Sequence, residues 1–199
     1  QSGNNSAPLN LLVFSDGDGY LSSKGSIRAV NVLDSLIADG LLPATLGVFV
    51  NPGIPEGVPT AKGTRPDPRA NQQRSFEYDS CSPEYVEFLL QGVLPFVTKE
   101  LGVELSQHAA DRGICGISSG GICAFNAAWH RPDQFGKVIS HCGSFTNIRG
   151  GHNYPYLIRS TPRKALQVFL QSGEMDAEIV TGSWPLANKQ MAAALTFAG

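Results

Sequence analysis

The sequence predicts an α/β fold, a mostly parallel central sheet with helices on both faces, and three observations carry that reading. Apolar runs alternate with helix-period segments from one end of the chain to the other. The strand-like runs are continuously apolar, as strands buried on both faces are, and turn-rich loops follow them. The 199 residues suit one domain with enough chain for a sizeable core. Lys+Arg 15 against Asp+Glu 17 leaves a net charge of −2, without the basic surplus of a nucleic-acid binder. No apolar run approaches the roughly 20 residues needed to cross a bilayer, so a soluble protein with no membrane partner is expected.

The elements follow in order. Residues 9–14 (LNLLVF) form a first strand, ended by the turn-rich Ser15-Asp16-Gly17-Asp18-Gly19. Residues 26–39 place Ile27, Val30, Leu33, Leu36 and Ile37 on a 3.6-residue period, stopped by Gly40 and Pro43. Thr45–Val50 is the second strand. Residues 51–80 hold five prolines and little periodicity, and are expected to be a functional loop. Residues 83–101 read as a helix with a proline near its start. Arg112–Ile117 is a strand, 119–129 a helix and 137–142 a strand. After an irregular stretch over 143–163 come a strand at 165–170 and a helix at 184–198. Five strands result. In such sheets ligands bind beyond the carboxyl ends of the strands, where loops begin at Ser15, Asn51, Ser118, Gly143 and Ser172.

The strongest local signal is Gly116-Ile117-Ser118-Ser119-Gly120-Gly121, a G-x-S-x-G between a strand and a helix. Small residues at 116 and 120 permit a sharp turn that lifts the Ser118 hydroxyl above the sheet as a nucleophile. The following helix N-terminus turns free N–H groups toward it, with Ser119 N–H as one oxyanion donor. Gly17, in the loop after the first strand, is the candidate for the second donor. A Gly/Ser-rich turn that merely packs closely is the competing reading of the motif, and an ordinary turn that of 15–19. Glu174, Asp176 and Glu178 follow the fifth strand, and Asp176 is the best placed to orient a histidine. Cys81, Cys115, Cys123 and Cys142 show no zinc-ligand spacing, and Cys115 and Cys142 read as buried free thiols. No metal or other cofactor is expected.

Further segments extend the pattern. They are Asp16-Gly17, Asn51-Pro52-Gly53, Arg74-Ser75-Phe76-Glu77-Tyr78-Asp79, Arg131-Pro132-Asp133-Gln134-Phe135, Ser140-His141-Cys142-Gly143-Ser144-Phe145 and Gly173-Glu174-Met175-Asp176. With the GISSGG turn they resemble, over nearly the whole chain, the putative-esterase family of α/β-hydrolases, which includes enterochelin-esterase-like and feruloyl-esterase-like enzymes. The resemblance implies hydrolysis of small-molecule acyl esters, with Ser118 as nucleophile, Asp176 as triad acid, and Arg74 and Glu77 bracing the loop over the site. A structural ion pair explains Arg74 and Glu77 equally well. Arg74, Glu77 and Trp184 are the candidate substrate-pocket residues.

The same resemblance implies a catalytic histidine in a Gly-x-His segment after one more strand, beyond residue 199, so the hydrolase fold is expected to lack its last strand here. Antiparallel strands before the first one are expected to be missing too. Within the chain His108 precedes its strand, and His130 lies about 18 Å along a helix from Ser118. His141 reads as a packed neighbour, leaving His152, in Gly150-Gly151-His152, as the fallback base. A non-catalytic binding module with this fold, and an acyltransferase using the same serine, stand as alternatives.

Overall fold

Strongly apolar runs suit strands in a sheet with packed faces, and the chain builds one, although one face stays open at Phe169, which is 56% exposed. The computed structural model describes residues 7–59 and 67–199. β1 (Asn10–Ser15) is followed by the short helix α1 (Gly17–Leu21) and by α2 (Ala29–Ala38), and then β2 (Thr45–Val50) pairs parallel with β1, Val13 opposite Val48. α3 (Pro68–Asp79) and α4 (Glu84–Phe88) lead through a π-helical turn, Leu89–Val93, into α5 (Leu94–Leu101). β3 (Arg112–Ile117) runs into α6 (Ser119–His130), β4 (Lys137–His141) into α7 (Tyr154–Ser160), and β5 (Gln167–Gln171) completes the sheet. A two-residue antiparallel ribbon, β6 (Glu178–Ile179) with β7 (Gly182–Ser183), precedes α8 (Trp184–Ala198).

The five-stranded sheet is parallel throughout, in the order β2-β1-β3-β4-β5. One face carries Leu11, Val13, Ile114 and Val138 against Ile122 and Phe125 of α6, with Phe145, Tyr154 and Met191 in the same core. On the other face Phe14 and Cys115 pack with Tyr20, Ala29, Leu33 and Phe49, beneath α1 and α2. Phe14 stacks on Phe49 with ring centroids 4.7 Å apart. α6 lies close on the sheet because its residues are small: a Cβ on Gly121 would sit 2.8 Å from Ser140 Oγ and 2.9 Å from Gly143 Cα.

Five expectations change. Residues 68–79 are helical rather than loop: α3 buries only Tyr78 and Asp79 and so shows no apolar period, yet Asp67 caps it by accepting from Arg69 N–H, with Pro68 in the first turn. The turn at 17–21 is a short helix. The helix at 83–101 is interrupted by its π-helical turn. The stretch 143–163 contains α7, entered through a proline. β4 ends at His141 because Cys142, at φ 37°, leaves the extended region.

Candidate active site

Because β1 sits between β2 and β3, the chain leaves it in one direction for β2 and returns across it to β3. The carboxyl ends of β1 and β3 are therefore adjacent, Phe14 opposite Cys115, and the loops that follow them diverge above a single crevice. Ser118 stands at the end of β3 and Gly17 at the end of β1.

The turn at Ser118 is forced. A Cβ on Gly116 would lie 2.1 Å from Gly120 O, so only glycine lets the strand fold back against the helix start. Ser118 itself takes φ 58° and ψ −117°, outside the regions an L-residue prefers. Its N–H donates to His141 O at 2.9 Å, and its carbonyl accepts from Ser144 N–H at 3.1 Å. The half-buried hydroxyl lies 3.2 Å from Ser144 Oγ. Ser119 is the first residue of α6, so its N–H has no partner within the helix. Gly17 opens α1 in the same way, packed so closely on β2 that a Cβ would meet Phe49 C at 2.6 Å.

Around this pair the side chains form a brace. Arg74 grips Asp16 with two hydrogen bonds, Nε to Oδ1 at 2.9 Å and Nη2 to Oδ2 at 2.6 Å. Asp16 adopts a left-handed conformation, φ 57° and ψ 48°, and its N–H donates to the Tyr78 hydroxyl at 3.1 Å. That hydroxyl donates in turn to Val50 O at 3.3 Å. Burial pushes the Tyr78 hydroxyl pKa above its ordinary value, so it stays protonated for this role. Asn51 Oδ1 accepts from Asp18 N–H at 3.1 Å.

Asp176 is half-buried, and its Oδ2 accepts from Ser172 Oγ at 2.8 Å and Gly173 N–H at 2.6 Å. The Cys142 thiol lies beside Ser118 N–H and feels the Asp176 charge; burial is the main cause that pushes it up. A strained serine and two helix-start N–H groups thus stand at the ends of the adjacent strands β3 and β1, and the Asp176 carboxylate follows β5, two strands along from β3. A profile of the putative-esterase family matches residues 2–188. The chain belongs to that family.

Among solved structures, this esterase-family chain is similar to an enterobactin esterase from Shigella flexneri, at 24% identity and TM-score 0.68, covering 94% of this chain and 44% of that one. It is also similar to a ferulic acid esterase, at 16% identity and TM-score 0.62, covering 98% and 76%. A siderophore hydrolase from Aspergillus nidulans aligns at 18% identity and TM-score 0.60, covering 97% and 68%. The chain thus spans less than half the length of the enterobactin esterase. No curated protein matches it. These likenesses establish the shared fold.

The remaining candidates fall in different places. Glu77 accepts from Gly53 N–H at 3.0 Å and from Gln73 Nε2 at 2.7 Å, and lines a cavity of about 570 Å³ with Phe76, Tyr85, Phe88 and Asn51. Arg74 is committed to Asp16, and Trp184 is buried at the start of α8; neither lines that cavity. His152 is exposed in a turn between β4 and α7, and among the described residues no histidine ring hydrogen-bonds Ser118 Oγ or Asp176. His141 Nδ1 faces Gln171 Oε1 at 3.3 Å. His108 lines a groove of about 990 Å³ at the opposite, amino end of the strands. Among the described residues no three His, Cys, Asp or Glu side chains cluster to hold a metal, and no helix is long and apolar enough to cross a membrane. Sequence reasoning missed Ser144, Tyr78 and Asp79. The last two lie in the RSFEYD segment beside Arg74 and Glu77, but without a helix over 68–79 nothing showed that Tyr78 and Asp79 turn inward.

Proposed function

We propose that this chain carries the nucleophile and oxyanion hole of a serine carboxylic ester hydrolase acting on small-molecule acyl esters. The observation that carries the reading is the backbone of Ser118, strained at φ 58° between β3 and α6, since such strain persists where the surroundings impose it for a purpose. Ser118 Oγ attacks the acyl carbonyl carbon as its proton passes to a base. The carbonyl oxygen becomes an oxyanion that accepts hydrogen bonds from the Ser119 and Gly17 N–H groups. Collapse breaks the ester C–O bond, the alcohol leaves with the proton, and water then hydrolyses the acyl-serine to acid and free enzyme. Asp176 orients the histidine base; within this chain His152 is the candidate for it.

A fluorophosphonate probe should label Ser118, and p-nitrophenyl acetate should be hydrolysed by the full-length protein, both lost in Ser118→Ala. A folded protein that is neither labelled nor active would overturn the hydrolase in favour of a binding module. Activity retained in His152→Ala removes that residue as base.

A further inference from the structure

Two backbone N–H groups on separate loops stabilise an oxyanion only if their peptide planes are fixed relative to each other. Both loops are held by one helix, α3. Asp79, at its last position, is 2% exposed, and its Oδ2 accepts from Ser119 Oγ at 3.1 Å. Its Oδ1 is buried with no hydrogen-bond partner among the described residues. The Ser75 hydroxyl and the Arg74 and Arg149 charges also favour this carboxylate, while its burial opposes the charged form. On the same helix Arg74, five residues before Asp79, and Tyr78, immediately before it, grip Asp16, the residue preceding Gly17. The register of a single helix therefore sets the separation of the two donor loops.

We propose that Asp79 is a positioning residue: it anchors the Ser119 side chain, and so the Ser119 peptide, against the Asp16-Gly17 turn that the same helix clamps. This inference rests on Ser118 being the nucleophile. The test is hydrolysis of p-nitrophenyl acetate by full-length protein carrying Ser118→Ala, Asp79→Ala, Asp79→Asn, Ser119→Ala, or Asp79→Ala with Ser119→Ala. Asp79→Ala should lower kcat by about ten- to a hundredfold while KM stays within about twofold, the pattern of an interaction lost only in the transition state. Asp79→Asn keeps an acceptor for Ser119 Oγ and should recover kcat to within about threefold of wild type. Ser119→Ala should match Asp79→Ala, and the double variant should be no slower than either, because both remove one contact.

Wild-type kcat in a folded Asp79→Ala, or losses that multiply in the double variant, overturns the proposal. Should Asp79→Ala fail to fold, Ser119→Ala decides alone: a tenfold or greater loss supports the anchor, and wild-type kcat overturns it. Absence of turnover in the wild type, or turnover that survives Ser118→Ala, overturns the nucleophile reading itself, and this inference with it.

Discussion

Ser118 holds a backbone conformation that costs an L-residue about 1–3 kcal/mol, at φ 58° and ψ −117°. Glycine relieves that cost, whereas alanine keeps the Cβ responsible for it. Ser118→Gly should therefore be more stable than Ser118→Ala by about 1 kcal/mol in urea unfolding, although both lose the Ser144 contact. Equal stabilities would mean the turn is unstrained. Asp79 makes a second prediction. Burial raises its carboxyl pKa, opposed by nearby hydroxyls and by the Arg74 and Arg149 charges. A raised folded-state value stabilises the fold at low pH, and that contribution is lost as pH climbs from the unfolded value, about 3.9, through the folded one. Asp79→Asn does not titrate. Its Tm relative to wild type should rise across that window and then level off, as read by melts from pH 3.5 to 8.

At the scale of elements, the elbow and the brace were unequally legible. Gly116, Ser118 and Gly120 are close in sequence, so spacing alone located the turn and its strand–helix setting. Gly116→Ala should break it: the new methyl would meet Gly120 O at 2.1 Å, so probe labelling should be lost and unfolding should cost about 1–3 kcal/mol less. Labelling at the wild-type rate would show that the turn tolerates a side chain. α3 was hidden because it is polar on nearly every side and buries two residues near its end, leaving no period to read. The signal that remained was its start, Asp67 followed by Pro68. The π-helical turn escaped for a related reason, since one extra residue in a helix shifts its apolar stripe without erasing it.

At the scale of the molecule, the five strands were readable because each has an apolar centre followed by a turn-rich loop, while their order was not, because periodicity carries no information about neighbours. The order explains why the site can exist: it puts two loop openings side by side at the point where the chain reverses direction across the sheet. Substituents on Ser119, Asp16 and Asp79 then converge from residues far apart in sequence. Packing of α6 against the sheet fixes their depth.

The position of β1 also has a consequence for synthesis. β1 can pair with β2 as soon as both have left the ribosome, but its other flank waits for β3, after the roughly 60 residues from 51 to 111 have emerged. At about 5–20 residues per second that leaves an apolar strand edge open for several seconds, the kind of surface that chaperones cover and aggregates exploit. In refolding, pulse-labelled hydrogen exchange should show amides of the β1–β2 ladder protected before those of β1–β3. Simultaneous protection would mean the nascent strand waits for both neighbours.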